Sequence, residues 1–225
     1  MSLRNSLASL ALVGLVSVAS TQAANAAVIL TFGQVGDTNT ITGTNNGAGS
    51  TTIATTDTTI SISQILAAGI VTPVDAFLTL SATSDGAATD LGGGAVTQEF
   101  NGSFSIWSGA GQTGTNYLSG TFTDAVFGAG ASLTLSAGEP PDSISFSSDV
   151  IAPADLDLAR GIALSFANVT PGVAIVNGSL RSFTSSVSGT FSANVGEIVP
   201  EPASLFLLGS GLAMLAARRA RRQKA

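Results

Sequence analysis

An all-β chain, an antiparallel β-sandwich or a related β-barrel, is what the sequence predicts, and three observations predict it. Apolar residues alternate with serine, threonine and asparagine in short runs, the period-two mark of strands with one buried and one wetted face. Turn-forming dipeptides punctuate those runs. Helical stripes of 3.6-residue period are scarce between the two ends of the chain.

The first element is not part of that fold. Arg4 supplies a short positive region, Leu7 to Ser20 an apolar stretch, and Ala24 and Ala26 small residues at the −3 and −1 positions of a signal-peptidase site. Residues 1–26 therefore read as a signal peptide cut after Ala26, with Ala23 the alternative, and the body as exported. From Thr38 to Thr59 the composition is the most biased, and this segment is expected to be strands with a long loop, or partly disordered.

Strand alternation then appears at Ile60 and Ile62, Leu78 and Leu80, Phe100, Phe104 and Ile106, Leu133 and Leu135, Ile144 and Phe146, and Ile162, Leu164 and Phe166. The dipeptides Asn46-Gly47, Asp85-Gly86 and Asn177-Gly178 are hairpin or loop formers, and Pro140-Pro141 and Pro171-Gly172 are breaks. Asn101-Gly102 falls inside a strand-like run and is also readable as a bulge. Ser63 to Val71 and Ala152 to Arg160 each have room for a helical turn or two. Ser119-Gly120-Thr121-Phe122 recurs as Ser188-Gly189-Thr190-Phe191, with no fixed period behind the echo.

Charge is sharply divided. Residues 27–198 carry thirteen acids and two arginines, Arg160 and Arg181, a net charge of −11, while five of the eight basic residues crowd the last eight positions. So acidic a body repels phosphate backbones, which excludes nucleic acid as a partner. With no cysteine, an exported body of this size must be held by its core.

The missing residue types also remove most catalytic chemistry. Zero histidines eliminate the Ser-His-Asp triad and most zinc sites, and zero cysteines eliminate thiol nucleophiles. The sole lysine, Lys224, lies in the C-terminal tail. A carboxylate pair of the glycosidase type survives, with Glu99 and Glu139 the glutamates well inside the body. Asp155 and Asp157 are the candidate ligands for calcium, a hard cation that takes oxygen donors, but no calcium loop surrounds them and solvated acids at a turn are the preferred reading. No other cofactor is expected. Trp107 and Tyr117 are the large amphipathic aromatics of the body and a candidate sugar-stacking pair, weighed against a tryptophan that merely closes the core. Asn101, Asn168 and Asn177 head Asn-x-Ser/Thr triplets and are read as turn residues, while the hydroxyl-rich faces are candidate carriers of O-linked sugar.

The C-terminus is a second address. Pro200 and Pro202 forbid helix and hold Glu201 in an exposed turn, directly after Val199. Ala203 to Ala217 is free of charge and, as helix, spans about 22 Å, short of a hydrocarbon core of roughly 30 Å. Arg218, Arg219, Arg221 and Arg222 then hold the tail in the cytoplasm. Pro-Glu-Pro, a short apolar helix and a terminal arginine cluster together resemble the PEP-CTERM sorting signal. The resemblance implies processing by an exosortase, a membrane-embedded cysteine transpeptidase-like enzyme. It also implies a Gram-negative host that makes extracellular polysaccharide, transient residence in the inner membrane, and delivery to the cell surface or matrix. The expected organisation is a signal peptide at 1–26, a β-rich exported domain at 27–198 and a sorting signal at 199–225: motif 200–202, transmembrane helix 203–217, basic tail 218–225. The expected function is a non-enzymatic surface or matrix protein of exopolysaccharide or biofilm. A carbohydrate-binding module or adhesin is the alternative, and a carboxylate glycosidase the third reading.

Overall fold

The computed structural model describes residues 26–129 and 133–194, so the expected signal helix and membrane helix lie outside the described residues. The strands are β1 (Ala26–Gln34), β2 (Ile41–Gly47), β3 (Ser50–Ile65), β4 (Val74–Ser84), β5 (Thr89–Gly92), β6 (Ala95–Gly109), β7 (Thr113–Ala129), β8 (Leu133–Gly138), β9 (Ile144–Ser147), β10 (Asp157–Thr170), β11 (Ile175–Val176), β12 (Ser179–Leu180) and β13 (Phe183–Asn194). A 3₁₀ turn, Pro153–Leu156, precedes β10, and no α-helix occurs among the described residues.

All pairings are antiparallel, and eight of them close a ring: β1–β3, β3–β4, β4–β6, β6–β7, β7–β8, β8–β10, β10–β13 and β13–β1. β2 occupies the far end of the slot that β1 fills between β3 and β13. β9 lies on β7 beside β8. Neighbours in the ring follow one another along the chain except at the β1–β13 seam, so the connectivity is that of an up-and-down barrel, which leaves few open edges. Both expected architectures meet here. Strands from opposite sides touch through one layer of side chains, as in a sandwich, with Phe104 of β6 stacked on Phe191 of β13 at 4.5 Å between ring centroids.

The alternation seen in the sequence is the inward row of each wall. On β13, Phe183, Ser185, Val187, Gly189, Phe191 and Ala193 face in and are buried. Among the described residues eight phenylalanines are buried, and Phe146 is half-buried. All but Phe122 form two clusters: Phe127 meets Phe100, Phe166 and Phe183, and Phe191 meets Phe32, Phe104 and Phe146. Each such ring contributes about 1.5–3 kcal/mol by burial, with roughly 0.5–1.5 kcal/mol more per well-placed aromatic pair.

Room for these rings comes from glycines directly across the strand: Phe32 opposite Gly189, Phe104 and Phe146 on either side of Gly120, and Phe183 opposite Gly43. A Cβ on Gly189 meets Phe32 Cε1 at 2.5 Å and Leu164 Cδ2 at 2.6 Å. The Ser-Gly-Thr-Phe echo now has a cause: both copies point serine and threonine out, and place glycine and phenylalanine inside.

Turns match the sequence in kind more than in place. Asn177-Gly178 makes the two-residue turn between β11 and β12, both residues at positive φ. Asn101-Gly102 runs through β6 in unbroken register with β4, and the bulge at this place belongs to β7, where residues 123 and 124 both stand opposite Asn101. The Thr38–Thr59 segment is ordered, however, with neither a long loop nor disorder at its centre. β2 and β3 join through Ala48-Gly49, both at positive φ, with Gly47 paired to Ser50, so the turn sits two residues beyond the expected Asn46-Gly47. Of the two helical signals, Ser63 to Ile65 continues β3, and only Pro153–Leu156 forms a turn of 3₁₀ helix.

One end of the barrel is sealed by β11–β12, the Ala48-Gly49 turn and the loop after β4. Ala88 N–H bonds Gly178 O at 2.8 Å, and Leu180 N–H bonds Thr51 Oγ1 at 3.0 Å. Gln98, buried on β6, pins the cap by donating to Gly86 O at 2.8 Å and Gly49 O at 3.1 Å.

Gly189→Ala is expected to lower stability by about 1–3 kcal/mol through overpacking. The check is the midpoint of denaturant unfolding. Phe32→Leu in the same chain removes the clashing ring edge and restores part of the loss.

Candidate functional site

Outward residues of four adjacent strands carry hydroxyls in register. One row runs Thr79, Ser105, Ser119, Ser147 across β4, β6, β7 and β9. A parallel row runs Ser81, Ser103, Thr121, Ser145. Strand geometry sets these groups about 4.8 Å apart between strands and about 6.8 Å apart along each strand. The rows line a groove of about 500 Å³, with Phe104, Gly120 and Phe146 in its floor and Gln112 of the β6–β7 turn at its edge. No residue lining it carries a charge. Thr121 Oγ1 and Ser145 Oγ lie 2.7 Å apart, and Asn116 Nδ2 donates to Ser119 Oγ at 2.9 Å.

Ser105 Oγ, in the lining, is buried without a hydrogen-bond partner among the described residues, as are Asn116 Oδ1 and Trp107 Nε1 outside the lining, and Gln98 Oε1, Ser179 Oγ, Arg181 Nε and Ser185 Oγ elsewhere. Trp107 lies one step beyond Ser105 on β6, half-buried, opposite Phe77 on one neighbour and Asn116 on the other. Tyr117 goes elsewhere. It is the extra residue of a β7 bulge, is 7% exposed, and belongs to the core. The two aromatics singled out in the sequence are therefore not a shared exposed platform. What marks the groove in the sequence is a different signal, hydroxyl-x-hydroxyl on four strands in turn.

A second groove, of about 580 Å³, is walled by threonines of β2 and β3 with Asp37 and Asp57. Its inner hydroxyls are already paired, Thr55 Oγ1 with Thr58 Oγ1 at 2.5 Å and Thr40 Oγ1 with Thr58 Oγ1 at 2.7 Å.

Carboxylates cap backbone N–H groups at turns and bends. Asp57 accepts from Gly111 N at 2.9 Å, and Asp90 from Gly92, Asp142 from Gly138 and Asp149 from Asn116, each at 2.8 Å. Glu139 pairs with Arg160 at 2.8 Å, both side chains 19% exposed. The same guanidinium donates to Leu156 O at 2.7 Å and Ile144 O at 3.1 Å, bracing the 3₁₀ turn and the unpaired edge of β9. Glu99 lies exposed on the outside of β6. Asp155 sits in the 3₁₀ turn, and Asp157 opens β10 with its carboxylate 3.9 Å from Arg160. No cluster of three metal-ligating side chains occurs among the described residues.

The outer wall is hydroxyl-lined and the interior apolar, the inverse of a membrane barrel with its apolar outer band. The expected processing residues Ala24, Val199, Pro200, Glu201, Pro202, Arg218, Arg219, Arg221 and Arg222 lie outside the described residues, and Ala26 is the first residue of β1. Residues 199–222 match the PEP-CTERM protein-sorting motif. No curated protein matches the chain, and no solved structure does. The described domain is thus an exported-type β-rich body joined to a sorting signal. The chain carries the PEP-CTERM signal at its C-terminus, which implies export, passage through the membrane and processing by an exosortase.

Arg160→Met is expected to lower stability by at least about 2 kcal/mol, because it strands a mostly buried carboxylate and two carbonyls. The paired Arg160→Met/Glu139→Leu variant recovers part of that loss. Ala159→Gly moves the other way, gaining about 1 kcal/mol, since Ala159 holds a left-handed φ of 69°. Thermal and denaturant unfolding read all three.

Proposed function

We propose that this is a non-enzymatic protein of the bacterial surface or extracellular matrix, sorted by an exosortase and associated with extracellular polysaccharide. The single observation that carries the reading is the sorting motif at 199–222. The character of the body supports it. Its wall presents hydroxyls, and several of its acids serve turns and an ion pair, an arrangement suited to life in a hydrated neutral gel. The absence of histidine, cysteine and body lysine leaves few groups for catalysis. In this reading a signal peptidase removes 1–26, the C-terminal helix lodges briefly in the inner membrane of a Gram-negative cell, and the exosortase releases the barrel near Pro200-Glu201-Pro202.

Intact-mass spectrometry of the protein recovered from its native host tests this. The expected product begins at Ala27, lacks 203–225, and shifts to a tail-bearing, membrane-retained form when the exosortase is deleted or when Glu201→Ala is introduced. Extracellular protein that still ends in Ala225 overturns the reading. So does hydrolysis of a glycoside by the purified barrel.

A further inference from the structure

We infer that the β3–β4 loop, Leu66 to Val71, is the surface on which the barrel rests against phospholipid while the chain is still held by its C-terminal segment. The inference builds on the membrane-passage reading above and gives the tethered barrel an orientation. The chain enters and leaves the barrel at one end, because Ala26 pairs with Asn194 across the β1–β13 seam. The β11–β12 cap closes the other end. At the exit end the β3–β4 loop comes off beside the seam, with Leu66 N–H donating to Ile29 O at 2.8 Å. Ala67 and Ile70 turn back and pack against the core. Leu66 and Val71 do not. Leu66 is 40% exposed and Val71 84%, the highest exposure of any large hydrophobic side chain among the described residues, and Val28 on neighbouring β1 is exposed as well. No charged residue lies between Asp57 and Asp75.

Chain length selects what covers these side chains. Eight residues, 195–202, separate β13 from the apolar run that begins at Ala203. Fully extended they reach at most about 29 Å. With that run in a bilayer, the tether holds the exit end close to the lipid surface. The capped end is a full strand away, about 40 Å along the twelve residues of β13. Charge then selects the loop within the exit end. Asp149 and Asp157, exposed on the β9–β10 side of that end, are costly to bring out of water. The β3–β4 loop offers aliphatic side chains in their place. Membrane contact strengthens with the apolar area buried, and two or three side chains supply little of it. The contact therefore depends on the high local concentration that a short tether provides, and it ends when the tether is cut.

The chain has no cysteine, so a single introduced thiol reports on its own position. The test uses the exported chain with its tail intact, as Leu66→Cys, Val71→Cys, Leu91→Cys or Val176→Cys. The last two are exposed aliphatics of the capped end. Each variant carries a polarity-sensitive fluorophore and is reconstituted in phosphatidylcholine vesicles, with and without a lipid bearing a nitroxide on its headgroup. Flotation with the vesicles establishes that the chain is anchored. Labels at Leu66→Cys and Val71→Cys are expected to shift to the blue and to be quenched by the nitroxide lipid, and those at Leu91→Cys and Val176→Cys to do neither. Adding Val71→Asp to Leu66→Cys lowers the quenching to the level of the capped end. Flotation with equal quenching at all four positions, or with quenching at the capped end alone, overturns the inference and leaves the membrane-passage reading standing. So does a blue shift at Val71→Cys without quenching, which marks a second copy of the chain as the occupant. A chain that does not float overturns both.

Discussion

The constraint on which the barrel depends is the pairing of a large aromatic with a glycine directly across the strand. An eight-stranded ring encloses just enough space for side chains to fill it. Here that space holds phenylalanines from both walls, and they fit because Gly43, Gly120 and Gly189 stand opposite Phe183, Phe104 with Phe146, and Phe32. Glycine in a strand ordinarily costs about 0.5–1 kcal/mol relative to alanine. In these positions an aromatic edge occupies the volume a methyl group needs, so the loss is returned as packing. The same pairs select register. Sliding β13 one residue against β1 brings Phe32 opposite Ser188 or Thr190 and turns the inward row outward.

That constraint explains which parts of the fold were legible. Alternation of Leu78 and Leu80, or Ile162 and Leu164, is a local property and marks strands wherever it occurs. The closing of the ring is not local, because it rests on β1 meeting β13 some 160 residues later in the chain. Turn position was half legible. Asn46-Gly47 has the better hairpin chemistry, yet Gln98 reaches Gly49 and the cap packs there, so tertiary contacts move the turn to Ala48-Gly49. The compositional bias of Thr38 to Thr59 misled for a related reason. Threonine is as much a strand residue as a loop residue, and here one face of each strand is buried.

The candidate site followed the same logic. Trp107 and Tyr117 drew attention by residue type, but a bulge in β7 turns Tyr117 into the core while Trp107 stays on the wall. The serines that matter individually are among the commonest residues in the chain. What distinguishes Ser105 is its register with Thr79 and Ser119 and the burial that results, neither of which has a signature at a single position. Four successive hydroxyl-x-hydroxyl triplets are legible only once the strands bearing them are known to be neighbours.

The distribution of charge completes the argument. A cysteine-free exported barrel must be stable from packing and hydrogen bonding alone, and most of the acids among its described residues sit at strand ends or between strands, where several accept from backbone N–H groups. Arg160 braces the free edge of β9, which stands beside the ring without a partner on β10, and neutralises Glu139 there. The middle of the β4–β6–β7–β9 wall is left without charge. Such a wall offers short-range hydrogen bonds indifferent to ionic strength, whereas the charge of the surrounding acids is felt less as salt screens it. Five of the eight basic residues are confined to the last eight positions, within or beside the sorting motif, so the sequence sets an acidic body apart from a basic C-terminal tail.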